Sequence, residues 1–172
     1  MVTYHEHILK KGKTGKDLAI CLVSPFVLAF CAYAFSFLFI YVIPFFSFLI
    51  PALWVGAVYF SFKVISSRNI EFEYLLTDSD LDIDKIINKS RRRRIISIYR
   101  KEIIAMAPVT STNLPENWQK SEIIDASSSV TSPDTYVLIV QQEGVQKAIY
   151  FCPTGAMLET MIARNPRKVF KD

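Results

Sequence analysis

An uncharged apolar block dominates the first part of the chain. From Leu18 to Phe62 there are 45 residues without an Asp, Glu, Lys or Arg, and 10 of the 13 phenylalanines lie there. A bilayer core needs about 20 apolar residues per helix, so the block is long enough for two membrane spans and too long for one. It also exceeds the apolar core of a signal peptide, about 7 to 15 residues. The block therefore predicts a helical hairpin embedded in a membrane.

Prolines indicate where the hairpin turns. Pro44 and Pro51 are the candidate positions, because proline lacks the amide donor and disfavours helix at the preceding residue. We expect a first helix from about Leu18 to Tyr41 and a second from about Phe46 to Ile65. Basic residues flank the block on both sides, and none lies between the two predicted helices; they are Lys10, Lys11, Lys13, Lys16, Lys63 and Arg68. This distribution predicts a multi-pass protein of the cell membrane with both termini in the cytoplasm.

Beyond Ile65 the pattern becomes alternating, in short runs separated by turn residues. The run "IEFEYLLT" alternates Phe72 and Tyr74 with Glu71 and Glu73, and "LDIDKII" repeats the alternation. We therefore divide the chain into a basic N-terminal cytoplasmic segment (1–17), a transmembrane hairpin (18–65) and a cytoplasmic, mainly β domain (66–172).

Seven strands and one helix are predicted for that domain. After the first two runs, "RRRRIISIY" and the residues from Ile103 to Pro108 complete a four-stranded meander. A fifth strand is expected from Glu122 to Ala126, and "TYVLIVQ" and "VQKAIYFC" form a hairpin around the Glu143-Gly144 turn. In the last segment Thr154 can cap the start of a helix in which Met157 and Met161 share one face, and this helix closes the domain. The predicted fold is a membrane α-helical hairpin plus a seven-stranded barrel or split sheet closed by a C-terminal helix.

This order of elements resembles the pleckstrin-homology superfold, as found in bacterial PH-like domains attached to membrane helices. The segments "ILKKGKTGKD", "EFEYLLTDSDLDIDKIINKSRRRRIISI" and "NPRKVF" are also similar to a family of small two-helix membrane proteins of Gram-positive bacteria with a domain-of-unknown-function label. The resemblance spans nearly the whole chain. It implies an architecture and supplies no catalytic or binding residue.

Four consecutive arginines, Arg91, Arg92, Arg93 and Arg94, are the most conspicuous local feature, and three interpretations compete. Nucleic-acid binding needs a stronger basic excess than the 16 basic and 14 acidic residues of 63–172. Contact with anionic lipid is the second, with Lys63, Arg68 and Lys89 in the same patch. The third is a solvated sheet face, where the arginines pair across strands with Glu71, Glu73, Asp82 and Asp84.

Other candidate sites lack the partners that their chemistry requires. His5 and His7 make an incomplete metal site and are assigned to a flexible or interfacial segment. A nucleophilic Cys152 would need an activating base, and the sequence gives no reason for either histidine to lie near it, so Cys152 is interpreted as a packing residue. We therefore expect no catalytic residue, no bound metal and no cofactor.

The sequence favours a non-enzymatic integral membrane protein that presents a PH-like binding module at the cytoplasmic membrane surface for protein or lipid contact. The alternative is an accessory subunit of a membrane transporter or envelope-assembly complex. The expected partners are membrane lipids together with a membrane protein or a second copy of the chain, and nucleic acid is not among them. The sequence does not distinguish which surface of the β domain binds. The candidates are the face of the barrel or sheet and the loops Val109 to Ser121 and Ser127 to Asp134.

Overall fold

The computed structural model describes residues 4–115 and 117–171. Residues 1–3 of the predicted N-terminal segment, Glu116 of the loop Val109 to Ser121, and Asp172 lie outside the described residues. The chain divides into two compact units. Lys13–Asn69 is the helix unit, and Met1–Gly12 together with Ile70–Asp172 is the β unit.

Two apolar helices and a connecting turn form the helix unit. Helix α1 is Gly15–Tyr41, a 3-10 turn covers Pro44–Leu49, and helix α2 is Ile50–Ser67. By length and composition, both helices can cross a membrane when the turn is counted with α2. The predicted pair of apolar helices is thus confirmed. The chain turns at Pro44, whereas Pro51 lies in the first turn of α2, where proline's missing donor is tolerated.

An ion pair joins the start of α1 to the end of α2. Asp17 Oδ1 lies 3.6 Å from Arg68 Nη1. The same carboxylate accepts a hydrogen bond from Thr14 N at 3.3 Å, which caps α1. Since the first residues of α1 lie beside the last residues of α2, the two helices are antiparallel.

Two four-stranded sheets and one helix form the β unit. The first sheet has the order β1-β2-β3-β4, with the strands His5–Lys10, Ile70–Leu76, Asp80–Ile87 and Arg91–Tyr99. The second has the order β5-β7-β8-β6, and in chain order its strands are Ile103–Pro108, Glu122–Asp125, Tyr136–Gln142 and Val145–Phe151. Helix α3 is Gly155–Arg164. Of the two predicted arrangements, the split sheet is correct and the closed barrel is not.

Strand β1 is the main departure from prediction. The residues assigned to a flexible or interfacial N-terminal segment pair with β2 in antiparallel register, from His5 opposite Leu76 to Lys10 opposite Glu71. The described part of the chain therefore contains eight strands, one more than predicted. Because β1 precedes the helix unit and β2 follows it, the helix unit is inserted between two neighbouring strands of one sheet.

The second sheet also differs from the predicted meander. Strand β5 pairs with β7 instead of β4, and β6 runs parallel to β8. The outer edge of β5 is occupied by the C-terminal tail, since Met106 N donates to Lys168 O at 2.7 Å and Phe170 N donates to Met106 O at 2.8 Å. This pairing satisfies polar groups that an open strand edge would expose.

The core lies between the sheets and α3. Alternation directs Phe72 and Tyr74 inward from β2, and α3 contributes the fully buried Met157. The Tyr74 hydroxyl donates to Ala126 O and accepts from Cys152 N at 3.3 Å, so one side chain of the first sheet connects two strand ends of the second. Burial raises the pKa of Tyr74 above its ordinary value, which keeps this donor protonated.

Candidate functional site

The arginine run begins β4, an edge strand of the first sheet. Antiparallel register places Arg91 opposite Ile87 and Arg93 opposite Lys85, while Arg92 and Arg94 lie opposite Ile86 and Asp84. Because neighbouring side chains of a strand point to opposite faces, the run splits into two pairs. The two pairs have different electrostatic surroundings.

Arg92 and Arg94 are neutralised by acidic residues on the outer face of the sheet. Arg92 Nη2 lies 2.7 Å from Glu73 Oε1. Arg94 reaches two carboxylates, with Nη2 at 2.8 Å from Asp82 Oδ2 and Nε at 3.2 Å from Asp84 Oδ1. This is the cross-strand pairing that the sequence suggested, although Glu71 takes no such ion pair within the described part of the chain.

Glu73 shows why this pairing matters for stability. Its side chain is 6% exposed, whereas that of Arg92 is 60% exposed. Burial raises the pKa of Glu73, and the positive charge of Arg92 opposes that shift. The guanidinium therefore stabilises a carboxylate that would otherwise be buried without a counter-ion.

Arg91 and Arg93 have a different environment. Neither forms an ion pair with any residue that the structure describes, and the same holds for Lys85 and Lys89. Lys85 faces Arg93 in the register and Lys89 lies in the turn before Arg91. We call these four side chains the free basic end: Lys85, Lys89, Arg91 and Arg93.

The turn between β3 and β4 holds a lysine in a conformation that favours glycine or asparagine. Asn88 and Lys89 have φ values of 52° and 55°. Asparagine tolerates this left-handed region, but for lysine it costs on the order of 1 kcal/mol. A charged side chain is thus kept at the tip of the hairpin despite a backbone penalty.

The register also fixes which end of the sheet carries the free basic end. Ile70 is opposite Ile87, and Ile87 is opposite Arg91. Strands lie about 4.8 Å apart, so the Arg91 backbone is about 10 Å from Ile70. Ile70 follows the last residue of α2, Ser67, after two intervening residues. The free basic end therefore occupies the end of the sheet that is joined covalently to the helices.

Comparison with protein families agrees with this architecture. The family model described as Bacterial PH-like domain (DUF6106) matches residues 1–171. The chain belongs to this family. Comparison with curated proteins and comparison with solved structures gave no match. The family match covers β1, the helix unit and the rest of the PH-like domain, which agrees with β1 being part of the fold.

The remaining predicted contact residues, Lys63 and Arg68, belong to the helix unit. Lys63 Nζ lies 5.9 Å from the centroid of the Tyr59 ring. Arg68 is neutralised by its ion pair with Asp17. The structure thus groups Lys89 with Arg91 and Arg93 on one hairpin of the PH-like domain, whereas Arg68 forms an ion pair within the helix unit.

Two features of the PH-like domain were missed by sequence reasoning. Lys85 joins the free basic end, which the register of β3 against the arginine run indicates once the hairpin is drawn. The segment after β1 is fastened to the second sheet by Lys11 Nζ, 2.8 Å from Asp125 Oδ2, and by a hydrogen bond of 2.9 Å from Gly12 N to Ser128 O. No sequence pattern connects these distant segments.

The two histidines, His5 and His7, contact different side chains of the β unit. His5 Nε2 lies 3.1 Å from Thr160 Oγ1 on α3, and the His7 ring centroid lies 6.0 Å from that of Tyr74. Both side chains therefore contribute to the packing of β1 against the rest of the β unit. Among the described residues, no group of three or more His, Cys, Asp or Glu side chains is placed to hold a metal ion.

Proposed function

We propose that this chain is a non-enzymatic, membrane-anchored PH-like module whose free basic end contacts anionic lipid headgroups. The helices cross the cell membrane twice and both termini lie in the cytoplasm. The observation that carries the proposal is the division of the arginine run into a neutralised pair and an unneutralised pair. The unneutralised pair lies at the end of the sheet that leads into the helices.

The strand order supports the two-span topology. Paired strands must lie on the same side of a membrane, because a bilayer core has no room for an open sheet between them. Since β1 precedes the helix unit and pairs with β2, which follows it, the number of crossings between them is even. The lysines that flank the helices favour the cytoplasm as that side.

Electrostatics supports the lipid contact. Each Lys or Arg near an anionic leaflet contributes about 1 kcal/mol, and this attraction falls off within a Debye length of about 8 to 10 Å. Four cations without a carboxylate partner among the described residues thus supply several kcal/mol, enough to hold an already anchored domain against the surface. Anchoring raises the local concentration of headgroups, so weak individual contacts suffice.

The test uses the full chain in lipid nanodiscs. A fluorophore is attached at Ser90→Cys after the three native cysteines are replaced, and quenching by headgroup-labelled lipid is measured. We expect stronger quenching in discs that contain about 30% phosphatidylglycerol than in discs of phosphatidylcholine alone, because an anionic leaflet attracts the basic residues. The double variant Arg91→Gln/Arg93→Gln should reduce this difference, because it removes two of the four cations of the free basic end.

A matched control removes two charges from other strands and turns. Lys120→Gln/Lys147→Gln should keep the difference, because these lysines lie outside the free basic end. Quenching that is independent of phosphatidylglycerol, or equal in the wild type and the Arg91/Arg93 variant, would refute the lipid contact. High salt should weaken the quenching in anionic discs only.

A further inference from the structure

A second basic surface lies where β4 ends, beside the C-terminal end of α3. It borders a groove of about 520 Å³ that we call the distal groove, lined by Ser79, Tyr99, Arg100, Lys101, Asn165 and Lys168. Three of these residues are basic and none is acidic. The distal groove shares no residue with the free basic end.

The cations of the distal groove are positioned by neutral acceptors. Arg100 donates through Nε to Asn165 Oδ1 at 3.3 Å and through Nη2 to the carbonyl oxygen of Arg164. Lys168 Nζ donates to Ile103 O at 2.5 Å. Because these acceptors carry no formal charge, they hold the cations in place without neutralising them. Such pre-positioning lowers the entropic cost of binding an anion.

Lys101 is held more loosely. Its Nζ lies 6.0 Å from the centroid of the Tyr99 ring, which is half exposed. A cation over an aromatic face is attracted to it but remains charged. Lys101 is thus able to reach a ligand without breaking a hydrogen bond of the fold.

The carboxylates around the distal groove are already engaged. Asp78 pairs with Arg164. Glu102 accepts hydrogen bonds from Tyr99 N at 3.0 Å and from Gln142 Nε2 at 2.8 Å. Asp80 accepts from Ser79 Oγ at 3.1 Å. Glu102 and Asp80 keep their charge because these donors are neutral. Among the described residues, however, no carboxylate forms an ion pair with Arg100, Lys101 or Lys168.

We propose that the distal groove binds a phosphate-type oxyanion carried by a soluble molecule. A guanidinium fork and neighbouring ammonium groups are the donors that recognise phosphate oxygens. The capping of α3 by Arg100 uses only part of its guanidinium and leaves other N–H groups for the ligand.

A soluble source is chosen because of where β4 ends. The strand runs from Arg91, at the end joined to the helices, to Tyr99. Eight steps of a strand span about 27 Å, more than two Debye lengths at physiological salt. Because the distal groove and the free basic end lie at opposite ends of β4, and lipid contact is assigned to the free basic end, we assign the anion in the groove to a soluble molecule.

The experiment uses the full chain in nanodiscs of phosphatidylcholine, titrated calorimetrically with inorganic pyrophosphate at constant ionic strength. We expect saturable binding by the wild type. Lys101→Gln should weaken it about tenfold, which corresponds to the loss of one charge-assisted contact. Arg100→Gln/Lys101→Gln should abolish it, while the matched control Lys120→Gln should bind like the wild type.

Thermal unfolding of each variant keeps the result interpretable. Among the described residues, Lys101 contacts the Tyr99 ring and forms no ion pair or hydrogen bond through its side chain. Lys101→Gln should therefore unfold at the temperature of the wild type, and its weaker binding then reports on the groove. Absence of saturable binding, or equal binding by the wild type and Lys101→Gln, would overturn the proposal. If a hexaglutamate peptide bound and pyrophosphate did not, the assignment of the ligand as a phosphate-type oxyanion would be overturned.

A separate arm tests the source of the anion. In the headgroup-quenching assay, the distal variants should behave like the wild type, because lipid contact is assigned to other residues. Loss of the phosphatidylglycerol effect in Arg100→Gln/Lys101→Gln would overturn the soluble source. Since the two surfaces share no residue, failure of one proposal is distinguishable from failure of the other.

Discussion

Substitution of Arg92 by alanine should distinguish the arginines that stabilise the fold from those that we propose contact lipid. The change leaves Glu73, whose side chain is 6% exposed, without the guanidinium now 2.7 Å from its carboxylate. Removing one partner of a fully buried ion pair costs about 3 to 5 kcal/mol. Because Arg92 itself is 60% exposed, solvent screens part of its charge, and we expect a loss of about 1 to 2 kcal/mol in the free energy of unfolding.

The same substitution at Arg91 should behave differently. Arg91 is exposed and makes no ion pair with the described residues, so Arg91→Ala should change the unfolding free energy by less than about 0.5 kcal/mol. Both are measured by urea unfolding of the full chain in detergent, followed by Trp118 emission. Trp118 packs 6.0 Å from the Tyr150 ring in the β unit, and Trp54→Phe removes the signal of the helix unit.

The pH dependence gives an independent check of the mechanism. Burial raises the pKa of Glu73, and removing Arg92 removes the charge that opposes this shift. A carboxyl group with a raised folded-state pKa destabilises the fold as the pH rises through that pKa. The deficit of Arg92→Ala should therefore shrink as the pH falls and Glu73 becomes protonated. Equal losses for Arg91→Ala and Arg92→Ala, or a deficit that is constant with pH, would refute the assignment.

Three further predictions concern the joint between β1 and the rest of the domain. A Cβ at Gly12 would lie 2.9 Å from a backbone oxygen, so Gly12→Ala should cost about 1 to 2 kcal/mol in urea unfolding, whereas Gly15→Ala, with nothing within 4 Å, should not. Burial tends to raise the pKa of Asp125, but hydrogen bonds from its neighbours outweigh burial, and the pKa is lowered. The wild type should therefore lose stability as the pH falls through that lowered pKa. Asp125→Asn should lack this loss in acid titrations. Replacing Lys13–Asn69 by a short Asn-Gly turn should leave a folded domain in water, detected by dispersed NMR spectra, whereas a chain that starts at Ile70 should fold less stably because it lacks β1.

Much of the architecture was readable because it rests on local patterns. The apolar block fixes two helices by length alone, and period-two alternation places Phe72 and Tyr74 inward. Thr154 before the amphipathic segment predicts the start of α3, where its hydroxyl accepts from Met157 N at 3.3 Å. These signals need no knowledge of distant parts of the chain.

The errors arose where partners are far apart in sequence. Strand β1 pairs with β2 across the whole helix unit, and a six-residue segment next to an apolar helix carries no turn signal that links it to a partner. The parallel pairing of β6 with β8 is likewise set by tertiary packing, because four residues alternate equally well in either direction. Long-range pairing is not encoded in local periodicity.

The candidate site could be predicted only in part from the sequence. The presence of opposing acids near the arginine run followed from alternation, but which arginine each acid engages depended on register. A bulge between β3 and β4, where the pairing shifts after Ile83, aligns Asp84 with Arg94. Bulges are determined by the fit of both strands, so a single sequence does not reveal which two arginines remain unneutralised.

The insertion of the helices between β1 and β2 sets an order of events during synthesis. The ribosome delivers β1 first, then both hydrophobic segments, and only afterwards the strand with which β1 pairs. In the proposed two-span topology, the hydrophobic segments enter the membrane before β2 is made, while the backbone groups of β1 are still unpaired. The pairing of β1 with β2 then completes the first sheet only after the helices have inserted. A chain whose helices failed to insert would expose its most apolar segment on an otherwise folded domain.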